Sequence, residues 1–189
     1  ALDPSAGDKL RVETPDPDFT QFDIWCARPP ELVSISQFQL SPMKGRLLLR
    51  MEPAMISAML DAFFGGAPRE STMAKKEFTQ TDIRLIGRMA KAIGEQIGAA
   101  WNEVGSFTCH AAGHSSSVDG ARIAAPAARM VVQRFRLTLP GNSRYEIEIV
   151  YPLDGLQGAD QCLTPAGFAE ERGPDPAWRE QMGAMLANV

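Results

Sequence analysis

The segment RLLLRMEPAMISAMLDAFFGG, residues 46–66, contains a strand, a helix start and a helix end in succession. Three leucines and Met51, interrupted only by Arg50, form an apolar run that predicts a strand buried on both faces. Pro53 predicts the first helical turn, because the amide hydrogen that proline lacks has no partner there. Apolar residues then recur at three- and four-residue steps as far as Phe64, and the glycine pair predicts the helix end. The segment therefore predicts a core strand followed by a helix that packs by one face.

The same order of elements occurs again near the other end of the chain. Residues 145–151 (YEIEIVY) predict a strand, Pro152 follows directly, and residues 153–163 predict a shorter helix. In both segments the proline closely follows the last apolar residue of the strand. This pattern suggests an internal duplication of a strand–proline–helix unit.

Length and composition limit the class of protein. A chain of 189 residues is large enough for one domain with a sizeable core. A formal net charge of -4 argues against a general nucleic-acid binder, which is usually basic. No stretch approaches the ~20 apolar residues of a membrane-spanning helix. The three cysteines are odd in number and far apart, which favours a reducing compartment over a disulfide framework; they are Cys26, Cys109 and Cys162.

Composition also divides the chain into segments. Residues 1–18 are rich in proline and aspartate and predict a flexible arm, with a short edge strand at residues 10–13. Residues 19–163 carry the periodic patterns of the domain, and residues 164–176 have the composition of a linker. Residues 177–189 predict the start of another helix. We expect the chain to be a fragment of a longer protein.

The segment between residues 79 and 101 predicts the longest helix. Thr79 and Asp82 have the spacing of a capping box, with aspartate in place of the usual glutamate or glutamine. One apolar face continues over about five or six turns and comprises Ile83, Ile86, Ala90, Ile93, Ile97 and Trp101. A line of small residues comprises Gly87, Gly94 and Gly98. These glycines either admit another element close to the helix or are tolerated without a structural role.

Residues 130–139 and 145–151 predict a β-hairpin with a short turn. The turn length places two arginines opposite two glutamates, Arg134 facing Glu148 and Arg136 facing Glu146. Such pairs contribute only ~0.2–1 kcal/mol each, but they help to fix the register. The alternation predicts that the hairpin face carrying these four charges is solvated.

The residue types near position 110 suggest two kinds of site, a metal site and a hydrolase site. Cys109, His110 and His114 are potential zinc ligands, but such sites usually use two pairs of ligands and the chain has no second pair. The serines that follow, residues 115–117, lack the Gly-x-Ser-x-Gly elbow of a hydrolase nucleophile. We therefore expect neither a metal, nor a cofactor, nor a catalytic residue here.

Several short segments, taken in order, resemble the middle domain of the flagellar motor switch protein FliM family over about residues 20–163. In that family a Pro-x-x-Gly turn precedes an apolar strand and a helix ending in Leu-Phe-Gly-Gly. A long helix then opens with Arg-Glu-Phe-Thr and ends in Ala-Trp, before an Ile-Ala-Ser-Pro-like loop and a strand ending in Cys-Ile-Pro-Tyr. The matching segments are 41–45 (SPMKG), 52–53 (EP), 60–66 (LDAFFGG), 77–79 (EFT), 100–101 (AW), 123–126 (IAAP) and 145–152 (YEIEIVYP).

The resemblance implies a three-layer α/β/α sandwich with pseudo-two-fold symmetry, a fold shared with CheC-type phosphatases. It also implies a non-catalytic structural and signalling component of the motor switch ring in the flagellar basal body, at the cytoplasmic face of the bacterial inner membrane. The implied partners are FliG, FliN, phosphorylated CheY and neighbouring copies of the domain. Residues 177–189 are similar to the start of the linker into the family's FliN-like C-terminal domain.

The resemblance further implies a FliG-facing loop, which would here comprise Gly65, Gly66, Ala67, Pro68 and Arg69. The family usually has Gly-Gly-x-Gly at this position. Pro68 departs from that pattern, because proline lacks the amide donor and cannot adopt a positive φ. We expect a stiffer loop whose contact with FliG is weakened or altered, while the glycine pair also serves as a helix end.

The alternative is a CheC-like phosphatase acting on a response regulator. That chemistry needs a glutamate and an asparagine three residues apart on one helix face. The residues three positions before the three asparagines are Ala99, Leu139 and Met185. The sequence therefore favours an interaction domain over an enzyme.

Overall fold

The structure is a computed structural model that describes residues 11–28, 32–63, 77–138 and 143–157. In these residues seven strands form one antiparallel sheet. The strands β1–β7 are, in chain order, Arg11–Glu13, Asp18–Gln21, Ser34–Ser41, Arg46–Met51, Thr108–Ser115, Arg129–Thr138 and Arg144–Pro152. The helices α1–α4 are Phe22–Cys26, Pro53–Phe63, Gln80–Val104 and Leu153–Gln157, and a 3-10 helix spans Asp119–Ala121.

The two strand–proline–helix units predicted from the sequence meet at the middle of the sheet. The strand order is β1-β6-β7-β4-β3-β5, and β2 pairs with β6 beside β1. Strands β4 and β7 pair antiparallel, with Leu48 opposite Val150. Helix α2 begins at Pro53 and helix α4 begins directly after Pro152. The strand and the helix start of both predicted units are confirmed. The predicted helix end of the first unit, residues 64–66, and residues 158–163 of the second helix lie outside the described residues.

The sheet is covered on both faces, so strand β4 is buried as its apolar run predicts. A first core lies between the sheet and helices α2 and α3, and from β4 it receives Leu47, Leu49 and Met51. A second core lies on the opposite face, where Leu48 packs with α1 residue Trp25 and with the segment around the 3-10 helix. The predicted three-layer α/β/α sandwich is confirmed, with a thin layer on the α1 side.

Helix α3 begins at its predicted cap. The Thr79 side chain accepts a hydrogen bond from the Asp82 amide, and the Asp82 carboxylate accepts one from the Thr79 amide. The core-facing side of α3 is broader than the sequence suggested, because Leu85 and Met89 are also buried. Ile83 was expected on this side but is 42% exposed. Helical periodicity gives a side chain its direction, but it does not determine whether another element lies opposite.

The three glycines of α3 have different surroundings. A Cβ built at Gly94 would lie 2.5 Å from Cε1 of Phe38 in β3, and one at Gly98 would lie 3.1 Å from Cβ of Cys109 in β5. At Gly87 such a Cβ has nothing within 4 Å. Close approach therefore explains Gly94 and Gly98. Gly87 keeps the roughly 1 kcal/mol cost of glycine in a helix without a contact in the described part of the fold.

The N-terminal segment pairs with the sheet at two places. Arg11–Glu13 pairs with β6 through Val12 opposite Leu137, which confirms the edge strand. Asp18–Gln21 pairs with the other end of β6. The predicted flexible arm, residues 1–18, is therefore tied down from residue 11 onward, because its alternating residues complete the edge of the sheet.

Candidate interaction surface

The predicted FliG-facing loop, Gly65, Gly66, Ala67, Pro68 and Arg69, lies outside the described residues. The structure shows its two flanks. Helix α2 is described to Phe63, and α3 begins after its N-cap Thr79. Both helices contribute to the first core, so the two flanks of the loop lie in the same layer of the sandwich.

A buried ionic cluster lies on the opposite face of the sheet, around Glu148. Trp25 Nε1 donates to Glu148 Oε2 at 2.9 Å, and Arg50 Nε donates to the same oxygen at 2.7 Å. Arg134 Nε donates to Oε1 at 3.0 Å, and its Nη2 donates to Asp18 Oδ2 at 3.3 Å. The cluster therefore connects β2, α1 and three adjacent strands of the sheet.

The cluster is compensated electrostatically. Burial by itself would raise the pKa of Glu148, but the charge of Arg50 and the hydrogen bonds from Trp25, Arg50 and Arg134 outweigh it and lower that pKa. Burial would likewise lower the pKa of Arg134, but Glu148 and Asp18 raise it. Both carboxylate oxygens of Glu148 already accept hydrogen bonds, so this carboxylate fastens elements together and is not poised for acid–base chemistry.

The prediction that the charged face of the hairpin is solvated is wrong for the pair formed by Arg134 and Glu148. The register is as expected, with Arg134 opposite Glu148 and Arg136 opposite Glu146. Glu148, however, is only 4% exposed, since α1 covers it. Arg50, which was not predicted to take part, lies opposite Glu148 on the other neighbouring strand. An arginine inside an apolar run was the available signal, because a buried arginine is almost always paired.

The potential metal ligands lie on strand β5 at an edge of the described sheet. Cys109 and His110 pair with successive residues of β3, so their side chains point to opposite faces. His114 Nε2 lies 3.2 Å from Ser34 Oγ. Among the described residues no group of three or more histidine, cysteine, aspartate or glutamate side chains could hold a metal ion.

The neighbouring serines form a local turn. Ser115 Oγ donates to the Ser117 carbonyl at 2.7 Å and accepts from the Ser117 amide at 3.2 Å. No histidine is recorded as a hydrogen-bond partner of Ser115 within the described ranges, so nothing here matches a nucleophile with its base.

Comparison with known proteins identifies relatives of this chain. A family model described as flagellar motor switch protein FliM matches residues 12–164. FliM of Escherichia coli strain K12 is 25% identical over 155 residues, which cover 81% of this chain and 46% of that protein. The chain thus spans about half the length of the curated relatives it matches.

Solved structures agree with the fold. The FliM middle domain from Vibrio alginolyticus superimposes with a TM-score of 0.71 at 21% identity, covering 82% of this chain and 85% of that one. A chain of a FliG–FliM complex from H. pylori gives a TM-score of 0.72 at 19% identity, covering 78% and 80%. At such identities the likeness establishes the architecture.

In the described ranges no helix has the length and apolar character needed to cross a membrane.

Proposed function

Because the chain belongs to the flagellar motor switch protein FliM family, we propose that it is a non-catalytic interaction domain of the bacterial flagellar motor switch. In this role the domain is a rigid element of the switch ring, held at the cytoplasmic face of the inner membrane by its partners. It links FliG to FliN and responds to phosphorylated CheY, which sets the direction of rotation. Neighbouring copies of the domain pack beside one another.

The observation that carries this proposal is the family match over residues 12–164. That range extends from the edge strand β1 through helix α4, so it includes both cores and both strand–proline–helix units. A rigid double core suits a component that transmits force through contacts. The charges of its largest buried cluster are also engaged internally.

The proposed contact with FliG is supported by the structure of a FliG–FliM complex from H. pylori, whose matching chain shares this fold. We assign the contact to the loop of residues 65–69, at the position of the family's Gly-Gly-x-Gly segment. Ala67 occupies the variable third position of that segment, and Pro68 replaces the glycine of its fourth position. The proposed contact therefore relies on Gly65 and Gly66.

We propose no phosphatase activity. Glu95 in helix α3 is a candidate for the glutamate of a phosphatase site. The residue three positions later is Gly98, which packs against Cys109. The asparagine needed to orient an attacking water is thus missing at the matching position. Fold alone does not confer an activity, since chemistry depends on the site.

The test is isothermal titration of the 189-residue chain with the middle domain of FliG from the same organism. Gly66→Asp should abolish binding, because it adds a charged side chain where the glycine pair is expected to meet the partner. Gly66→Ala is the matched control for the loss of glycine and should bind about as well as the parent. Circular dichroism of each variant should retain the helical signal.

Binding that survives Gly66→Asp would move the contact away from the 65–69 loop. Absence of binding by the parent at concentrations well above the micromolar range, which corresponds to about 8 kcal/mol, would contradict the assignment of FliG as a partner.

A further inference from the structure

An apolar row of side chains crosses the first-core face of the sheet and ends at strand β2. Phe19 lies opposite Val131, and Val131 lies opposite Tyr151. Tyr151 packs against the first core, and residues that lie opposite each other project to the same face of a sheet. We call these three residues the β2 row. Tyr151 and Val131 are half-buried, whereas Phe19 is 67% exposed.

The outer end of the β2 row is an uncovered apolar surface. Within the described ranges, Phe19 is the most exposed large apolar side chain. The strand that carries it pairs with β6 at the side of the sheet where the chain also places β1. The row therefore continues the first core outward to a ring that has no cover.

The chain leaves the sheet beside this row. Pro152, the last residue of β7, lies opposite Met130, and Met130 lies opposite Thr20 of β2. Neighbouring strands are about 4.8 Å apart, so helix α4 starts about 10 Å from β2. Leu156 of α4 packs against the first core. The segment that follows α4 therefore begins in the same layer as the β2 row and close to it.

Residues 177–189 have an apolar surface that matches the row. The sequence predicts a helix in this segment, and its large apolar residues recur at three- and four-residue steps, so they share one side. These residues are Trp178, Met182, Met185, Leu186 and Val189. A helix of 13 residues is about 20 Å long, which is enough to cross three strands that together span about 10 Å. The connecting residues 158–176 can extend over roughly 60 Å, so their length permits the contact.

The size of the row favours a segment of the same chain over a separate protein. Specific interfaces between proteins bury about 800 Å² on each partner, whereas one aromatic side chain buries only about 150–250 Å². A tethered segment has a local concentration of about millimolar, so a small contact is sufficient to hold it.

We propose that residues 177–189 dock as a helix on the β2 row of the same chain, with their apolar side covering Phe19. The docking holds this segment against the sheet and fixes the direction in which it leaves the domain. The inference goes beyond the proposed function and does not depend on it.

Hydrogen–deuterium exchange followed by mass spectrometry tests the docking in the 189-residue chain. A synthetic peptide of residues 177–189 is the reference, because isolated helices shorter than about 12–15 residues are marginal in water. The amides of this segment should exchange at least about tenfold more slowly in the chain than in the peptide, since docking protects them.

Phe19→Ser should return the exchange of residues 177–189 to the rate of the free peptide, because it removes the exposed ring of the row. Ile24→Ser is the matched control. Ile24 is also exposed, at 49%, but it lies on α1, which covers the opposite face of the sheet. The control should keep the protection of the parent. The thermal midpoint of each variant shows whether the domain itself stays folded.

A second pair of variants changes the segment and leaves the sheet untouched. M185Q/L186Q should also remove the protection, although glutamine has a helix propensity similar to that of methionine and leucine. Glu180→Gln is the control, because position 180 lies on the opposite side of the predicted helix. This control should exchange as the parent does.

Three kinds of result would overturn the inference. Exchange as fast in the parent chain as in the free peptide would show that the segment is undocked. Protection that survives Phe19→Ser, or that is lost equally in Ile24→Ser, would place the contact elsewhere. Protection that falls on dilution, together with the mass of a dimer in light scattering, would show that a second copy supplies the helix.

Discussion

At the scale of single residues, Glu148 is held by hydrogen bonds from three other side chains. It accepts hydrogen bonds from Trp25, Arg50 and Arg134 and is 4% exposed. A buried ion pair of this kind does not necessarily add stability compared with an apolar pair of the same shape. Removing one member is costly, however, because the remaining charges lose their closest buried partner.

We predict that Glu148→Gln lowers the free energy of unfolding by roughly 3 kcal/mol, since it removes the buried anion that lies closest to both Arg50 and Arg134. Urea unfolding monitored by circular dichroism measures the change. Glu146→Gln is the matched control, because Glu146 lies on the same strand at 3.7 and 3.8 Å from the same two arginines but is better solvated. It should cost less than about 1 kcal/mol. Equal losses in the two variants would contradict the buried role of Glu148.

The same residue predicts a dependence on pH. The pKa of Glu148 is lowered in the folded chain from an ordinary value of 4.5. Its contribution is therefore fully present above the unfolded value and is lost as the pH falls through the folded one. The stability difference between the parent and Glu148→Gln should shrink as the pH falls below about 4.5. A difference that stays constant down to pH ~3 would show that the carboxylate charge is not what matters.

At the scale of elements, the fit of α3 against the sheet depends on the absence of side chains. Gly94 allows the ring of Phe38, which is 1% exposed, to lie against the helix backbone. The same helix exposes Gly87 one and a half to two turns earlier. Replacement by alanine is therefore expected to change the stability of the chain in opposite directions at Gly94 and at Gly87.

We predict that Gly94→Ala destabilises the chain by about 1–2 kcal/mol, because overpacking against Phe38 outweighs the better helix propensity of alanine. Gly87→Ala should stabilise it by about 1 kcal/mol. Thermal unfolding of both variants provides the comparison. Adding Phe38→Leu to Gly94→Ala should recover part of the loss, which a double-mutant cycle would detect. Stabilisation by Gly94→Ala would show that the helix and sheet can move apart freely.

At the scale of the whole molecule, both cores are built on one sheet. Leu47 and Leu49 enter the first core, and Leu48 between them enters the second. If strand β4 leaves one core, its side chains are also withdrawn from the other core. The short second layer, anchored by Trp25, is consequently part of the same cooperative unit.

We predict a single unfolding transition for both cores. Trp25 lies in the second core and Trp101 packs against the first, so each can report on one face after Trp178 is replaced by phenylalanine. In that background, Trp25→Phe leaves Trp101 as the reporter, and Trp101→Phe leaves Trp25. In each variant, the urea midpoint of tryptophan fluorescence should equal that of circular dichroism. A fluorescence midpoint displaced from the circular-dichroism midpoint would show that the α1 layer unfolds separately.

The fold was largely predictable because its main signals are local. The apolar run of β4, the proline at the start of α2 and the capping box of α3 each lie within a few residues of sequence. Each was found where the sequence placed it. The repeat of strand, proline and helix also predicted the two central strands, since the unit recurs as a pattern. The 65–69 loop was assigned by resemblance, lies outside the described residues and stays a prediction.

The sequence by itself determined the strands β4, β6 and β7, the starts of helices α2 and α3, and the register in which the β6–β7 hairpin forms. Only the tertiary structure decided which charges and glycines are buried. Arg50 and Trp25 reach Glu148 from 98 and 123 residues away, so no local pattern could show that this carboxylate is covered. Gly94 and Gly87 are likewise the same residue type in one helix. One lies against Phe38 and the other has no neighbour in the described fold, because burial depends on what the folded chain places opposite.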